Sequence, residues 1–273
     1  MNYSVLMPVY DKEKPDHLKR CMQSMLDQSA YTNDFVLVCN GPLTAELDAV
    51  VVKFLEKTPV LHIVQLDKNY GIGIALNMGI KYCINEWIVR MDSDDIAYPY
   101  RCERQLAFVA QHRLDVASAT VVEFEENLCC RTRNRELPVT HAEIVQFARR
   151  RNPMNHPCTL YRKSKVLEAG GYRDMPGFED YDLWVRMLQC GARMGNMKEP
   201  LLYMRAGEDM LGRRGGYRYC KNIIRFWCEM KRLGFVTYGE CICNIILRCI
   251  VSLLPNSMRK HIYLKRLRDN VGK

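Results

Sequence analysis

Apolar residues in this chain fall either into short continuous runs or into stretches where they recur every three or four positions. Tyr3 to Val9, Phe35 to Cys39, Leu61 to Leu66 and Trp87 to Met91 are runs of the kind that strands buried on both faces need. Between them, the Leu18, Cys21, Met22 and Met25 stripe, Thr44 to Lys57, and about Ile72 to Ile84 carry helical spacing. This alternation predicts a doubly wound α/β sheet, in which ligands bind beyond the carboxyl ends of the strands. Tyr10, Asn40, Asp67 to Gly71 and Asp92 to Asp95 occupy those ends. Four separated segments are thereby predicted to meet at one crevice.

Beyond Asp95 the pattern changes. A helix from Pro99 to about His112 precedes an alternating strand, Val116 to Glu125, with Leu128 to Arg133 as its hairpin partner, so the sheet is expected to become mixed. A short basic helix, His141 to Arg151, leads into the rigid turn Asn152-Pro153-Met154-Asn155-His156-Pro157 and the apolar run Cys158 to Tyr161. Leu183, Trp184, Met187 and Leu188 form one apolar helical face, which puts Glu179 and Asp180 in that helix's first turn. A last strand, Leu201 to Tyr203, is followed by an amphipathic helix over Ile223, Ile224, Trp227, Met230 and Leu233 that Gly234 ends. Thr237-x-x-Glu240 is a capping box for a further helix, Cys241 to Leu254.

Composition adds two things. The net charge is +9, but residues 241–273 hold seven Lys/Arg against the single acid Asp269, so the basicity belongs to the tail. There, Met258 to Arg268 interleaves Ile262, Leu264 and Leu267 with Arg259, Lys260, Lys265, Arg266 and Arg268, beside the largely apolar Cys241 to Leu254 helix. That pairing suits an interfacial anchor on anionic lipid; packing on the main domain or on a second copy of the chain is the competing view. Aromatic residues are not interleaved with the basic tail, which argues against nucleic acid. The 13 cysteines include no CxxC pair, and Cys21, Cys39 and Cys83 stand at apolar positions, which favours buried reduced thiols and a cytoplasmic setting. Neither a secretory leader nor an apolar stretch of about 20 residues is found.

The chemistry begins at Trp87 to Asp95, a buried strand that ends in Asp92, Asp94 and Asp95. Clustered carboxylates at the end of an apolar run call for a cation, and Mg²⁺ or Mn²⁺ shared with substrate phosphates is the economical one. Asn69-Tyr70-Gly71-Ile72-Gly73 combines glycines with a helix N-terminus, a setting for a phosphate or a polar ring, but it is neither a dinucleotide fingerprint nor a Walker loop. A carboxylate at Glu179 or Asp180 could serve as general base, or cap the helix. Arg205 to Gly216, with Arg213 and Arg214, is suited to closing over phosphates or to lying solvated at the surface. His156 stands open between substrate contact and structure, and the helical phase of Trp184 favours the core.

With Met7-Pro8-Val9-Tyr10, Asn69-x-Gly71, Asp92-Ser93-Asp94 and Glu179-Asp180-x-x-Leu183-Trp184-x-Arg186 in this order, the chain resembles the inverting family 2 glycosyltransferases of the GT-A fold, those of bacterial capsule and O-antigen assembly above all. The resemblance spans about Tyr3 to Gly216. It implies a catalytic domain over 1–216, with a nucleotide half over 1–95 and an acceptor half over 96–216, and a helical, membrane-associating extension over 217–273. It implies transfer from a UDP-sugar to a lipid-linked glycan at the cytoplasmic face of the inner membrane. Pro8, Val9, Tyr10, Asn40, Lys68, Asn69, Gly71, Asn77, Asp92, Ser93, Arg205, Arg213 and Arg214 would hold the nucleotide-sugar. Asp92 and Asp94 would bind Mn²⁺ or Mg²⁺, Asp180 would be the base, and Glu179, Trp184 and His156 would line the acceptor site. Asp95 is expected to cap the next helix. Two departures stand out: Asn40 where relatives carry an acid that reads uracil, and Gly207 where relatives carry a metal-binding histidine. A sugar nucleotidyltransferase and a non-catalytic nucleotide-sugar-binding subunit are the rival readings.

Overall fold

The computed structural model describes residues 1–125, 128, 131–206, 215–255 and 258–259. Strands β1 (Tyr3–Val9), β2 (Asp34–Cys39), β3 (Leu61–Gln65) and β4 (Trp87–Arg90) are linked by helices α1 (Pro15–Leu26), α2 (Ala45–Lys57) and α3 (Ile72–Tyr82). The four strands run parallel in the order β3-β2-β1-β4. β1 is central and buried throughout, as a continuous apolar run requires. Val9 pairs with Cys39 and Cys39 with Gln65, so the strand ends named above lie side by side.

The second half turns the sheet mixed. Its elements are β5 (Ile96–Ala97), α4 (Arg101–His112), β6 (Val116–Phe124), β7 (Arg131–Arg135), α5 (His141–Phe147), a 3₁₀ turn (His156–Cys158), β8 (Leu160–Arg162), α6 (Lys163–Glu168), α7 (Glu179–Gln189) and β9 (Met194–Arg205). β8 runs antiparallel to β4 and β6, β9 lies parallel to β6, and β5 closes the edge against β9. β7 pairs with β6 as the predicted hairpin.

β9 is far longer than the Leu201 to Tyr203 run. Lys198, Glu199 and Pro200 interrupt its apolar pattern where the register against β6 shifts around Thr120, a bulge that strand periodicity conceals. β5 and α6 are too short to display a period at all.

The core lies on both faces of the sheet. One face packs Tyr3, Val5, Met7 and Phe35 against α1, α2 and α4; the other packs Leu6, Val36, Val38 and Ile88 against α3, α6 and α7. A third cluster joins Phe178, just before α7, and Tyr181 and Val185 of α7 to Phe226, Trp227 and Met230 of α8 (Gly216–Arg232), and so fastens the C-terminal helices to the domain. α9 (Tyr238–Leu253) begins with the predicted capping box, Thr237 and Glu240 bonding reciprocally. Glu240 also takes a two-pronged pair from Arg149, with bonds of 2.8 and 2.5 Å, and this holds its carboxyl down at about 2.

Candidate active site

The strand-end crevice assembles around the acidic loop after β4. Asp92 is paired with Arg90, a guanidinium only 1% exposed within the strand. Cys21 Sγ donates to the Asp92 carbonyl at 3.0 Å, and Ser93 Oγ donates to Glu13 at 2.7 Å, which fixes the loop on α1. Arg205 ties it to the end of β9: its backbone N–H donates to Asp95 at 2.8 Å and its Nε to the Asp94 carbonyl at 3.3 Å. Burial, with the charges of Asp92 and Glu13, pushes the Asp94 carboxyl up to about 7. Burial, with the charges of Asp94 and Asp92, pushes Asp95 up as well, and its Oδ2 is buried without a hydrogen-bond partner among the described residues.

These are oxygen donors whose charge is disfavoured until a cation arrives, which fits a hard divalent ion. Among the described residues no group of three or more His, Cys, Asp or Glu side chains is arranged to hold a metal by itself. Such an ion would therefore take its remaining ligands from substrate phosphate and water. Asp94 and Asp92 would hold it, and it would neutralise charge on a bound diphosphate.

The opposite wall is the loop before α3. Asn40 Nδ2 donates to Asn69 Oδ1 at 3.0 Å, the Tyr70 N–H donates to Asn40 Oδ1 at 2.9 Å, and the Gly71 N–H donates to Asn69 Oδ1 at 2.9 Å. Asn40 thus organises the loop, a task for which an amide, donor and acceptor together, is better equipped than a carboxylate. Lys68 lies over the Tyr70 ring at 5.0 Å, and Tyr10 is half-buried at the end of β1, where Pro8 and Val9 are buried. Gly41 makes this packing possible. Its φ is +97°, and a Cβ there would sit 2.9 Å from the Asn69 backbone N. Gly41→Ala is therefore expected to cost about 1–3 kcal/mol of stability and to weaken nucleotide binding through the displaced loop, measured by thermal melts and by UDP titration.

The third wall is the start of α7. Asp180 is half-buried; Asn152 Nδ2 donates to its Oδ2 at 2.5 Å, and the Tyr181 N–H to its Oδ1 at 2.8 Å. A Cβ on Gly73 would lie 3.5 Å from both Glu179 and Tyr172, so the first turn of α3 and the start of α7 are close neighbours. Burial raises the Glu179 carboxyl. Both carboxylate sites act on Tyr172, whose hydroxyl is raised by burial, opposed by Arg90, and raised further by Asp180 and Asp92. Its hydroxyl lies 2.9 Å from His156 Nε2, and burial, with Arg90, pushes His156 well below its usual range.

Three expectations change. Trp184 is 0% exposed and packs edge-on to His156 at 5.9 Å, so it backs the wall and offers no face to a sugar. Asn77 spends its amide on both backbone groups of Tyr172, at 2.6 and 2.8 Å, so it secures the 171–172 turn and is not turned to a nucleotide. Asp95 caps nothing: α4 starts at Arg101 without a side-chain cap, and Asp95 accepts from Arg205 instead. Arg213 and Arg214 lie outside the described residues. Glu13, Arg90, Asn152 and Tyr172 were not anticipated; a charged residue inside a buried strand was the one signal available, for Arg90.

Solved structures with this fold include residues 1–349 of TarS from S. aureus in complex with UDP-GlcNAc, at a TM-score of 0.68 and 18% identity, covering 97% of this chain and 76% of that one. A mannosyltransferase from Pyrobaculum calidifontis in complex with GDP-Man and Mn²⁺ follows at 0.65 and 13%, covering 98% and 81%. The fold is thus GT-A-like. The glycosyl transferase family 2 model matches residues 4–171, and the chain belongs to that family. The amylovoran biosynthesis glycosyltransferase AmsE of Erwinia amylovora is 36% identical, over 96% of this chain and 98% of its own. The UDP-Gal:alpha-D-GlcNAc-diphosphoundecaprenol beta-1,3-galactosyltransferase of Escherichia coli is 32% identical, over 97% and 96%. The chain is a glycosyltransferase related to enzymes of bacterial exopolysaccharide and O-antigen synthesis.

Proposed function

We propose that the chain is an inverting, metal-dependent glycosyltransferase that moves a sugar from a UDP-sugar to an acceptor sugar carried on a lipid diphosphate. The observation that carries this reading is that carboxylates from two elements, Asp92 after β4 and Asp180 at the start of α7, both act on the Tyr172 hydroxyl: one carboxylate for the donor, the other for the acceptor. Asp180 takes the proton of the acceptor hydroxyl as its oxygen attacks the anomeric carbon. The bond from that carbon to the UDP oxygen breaks on the opposite face, and UDP leaves. Asn40, Asn69 and Tyr10 frame the base and ribose, Lys68 and Arg205 lie beside the diphosphate path, and Glu179 and His156 face the acceptor. The donor and acceptor classes are supported by the name of the E. coli relative. The test is UDP release, with Mn²⁺ and a lipid-diphosphate-linked sugar, across the common UDP-sugars. Stimulation by none of the acceptors would overturn the reading in favour of a binding subunit.

The proposal includes docking on anionic lipid through α9. Its face away from the domain exposes Ile242, Ile246, Leu247, Ile250 and Leu253, and the basic tail follows directly in sequence. No described helix is long and apolar enough to cross a membrane. At about 1.5–3 kcal/mol for a buried Ile, the triple change of Ile242, Ile246 and Ile250 to Asp should lower co-sedimentation with vesicles rich in anionic lipid at least tenfold. Unchanged sedimentation, or a shift from dimer to monomer instead, would place protein on that face.

A further inference from the structure

β3 is the outermost strand of the parallel half, and among the described residues no strand pairs with its far side. The Phe35 N–H donates to the Val60 carbonyl at 2.8 Å and the Leu66 N–H to the Cys39 carbonyl at 3.0 Å, so residues 60, 62, 64 and 66 spend their backbone groups on β2. The residues between them face the other way. That directs the N–H and C=O groups of Ile63 and Gln65, and the C=O of Leu61, outward, while the Leu61 N–H is taken by the Thr58 carbonyl at 3.0 Å.

Exposed edges are normally guarded by charge, proline or a bulge. This edge has none of the three. Leu61–Gln65 holds no Lys, Arg, Asp, Glu or Pro, and its register against β2 is unbroken. Its two polar side chains are turned elsewhere: His62 comes within 3.7 Å of Asp34, and Gln65 donates its amide to the Gly41 and Leu66 carbonyls at 3.1 and 2.9 Å. Ile63 is exposed at the centre of the strand. A groove of about 500 Å³ opens beside it, lined by Leu55, Leu61, His62, Ile63, Tyr82 and Ile84, and the side chains of Leu55, Tyr82 and Ile84 are themselves exposed.

Outward backbone groups call for another strand, and their phase selects a second copy of this one. Groups at 61, 63 and 65 map onto themselves about a two-fold axis through Ile63 when the copies run antiparallel. Ile63 then exchanges both bonds with the partner's Ile63, and Leu61 and Gln65 stand opposite the partner's Gln65 and Leu61. We propose that β3 is the dimerisation edge of this protein, two copies pairing antiparallel about Ile63 and burying Ile63, Tyr82 and Ile84 between them. Five residues make a small interface, so the dissociation constant is expected at roughly 1–100 µM. No residue assigned to the donor or the acceptor takes part, and the dimer stands or falls independently of the catalytic reading.

The test is sedimentation velocity on the full chain under reducing conditions and without lipid, across about 1 to 100 µM, where a concentration-dependent dimer is expected. Ile63→Lys sets two ammonium groups against each other at the axis and should weaken the dimer about tenfold or more. Ile63→Pro removes an N–H that bonds nothing inside the monomer and should act in the same direction. The pair Y82S/I84S, at exposed positions, provides a variant that leaves the strand itself unchanged and should also weaken association. In I63C the two Cα atoms would lie about 5.5 Å apart, within disulfide range, and oxidation should give a 63–63 link identified by mass spectrometry. A wild type that stays monomeric throughout would overturn the proposal, and dimerisation on removing residues 260–273 would then put the chain's own tail on the edge. A dimer of wild-type strength in Ile63→Lys would overturn it too, as would a dimer lost only on changing Ile242, Ile246 and Ile250, which would place the interface on α9.

Discussion

Asparagine at position 180 should remove sugar transfer while leaving the donor side intact. General-base catalysis by a positioned side chain contributes about 10²- to 10⁴-fold, and Asp180→Asn should lower kcat by that order. The two residues are nearly isosteric, and the Tyr181 N–H that now donates to Oδ1 still finds an amide oxygen. UDP affinity and acceptor KM should therefore change little, and the split between kcat and KM is the diagnostic. Asn152 sharpens the test. It offers an N–H to Asp180 Oδ2, while its own Oδ1 accepts from the Met154 N–H at 3.3 Å. If the turn alone mattered, Asn152→Asp would behave like wild type and Asn152→Ala would be worse. If orientation of the base matters, Asn152→Asp sets two carboxylates against each other and is the more damaging change. Near-normal turnover in D180N, measured as UDP release, would remove Asp180 from the role.

Much of this site was legible because the residues that build it stand where backbone order changes. β1 to β4 are buried on both faces, so they appear as uninterrupted apolar runs, and whatever follows each run lies at the crevice. That logic located Tyr10, Asn40, Asn69 and Asp92 without any structural information. It could not reach contacts between segments far apart in sequence. Asn152 looks like any turn residue before a proline, and only the docking of the turn after α5 on α7, where the Tyr181 hydroxyl donates to the Ala148 carbonyl, brings it to Asp180. The same limit misplaced Asn77 and Asp95, whose partners, Tyr172 and Arg205, lie 95 and 110 residues away. Trp184 illustrates the converse: its helical phase pointed to the core, where it is found, and the motif around it suggested a sugar contact that burial forbids.

The second large effect is expected at Asp94, where a single change should act on stability and on function in opposite directions. Its carboxyl is raised from the ordinary 3.8 to about 7, chiefly by burial and then by Asp92 and Glu13. A group raised in this way favours the ionised form less in the folded protein than in the unfolded one. Below about pH 4 it is protonated in both states and costs nothing; as the pH climbs from about 4 to about 7 the folded state loses stability relative to the unfolded one. Asp94→Asn removes that burden. Metal-free protein carrying it should melt higher than wild type at pH 8, and the difference should vanish toward pH 4. The same change withdraws the oxygen charge assigned to the cation, so Mn²⁺ should no longer raise the melting temperature in the presence of UDP, nor tighten UDP binding by calorimetry, and transfer should fall to background. Asp92 alone would leave the cation a single carboxylate, and one whose charge is shared with Arg90. A variant that is more stable without metal yet still stabilised by Mn²⁺ and UDP would show that the cation is held elsewhere. A variant that is less stable would show that the carboxylates after β4 are balanced by Arg90 and Arg205 alone.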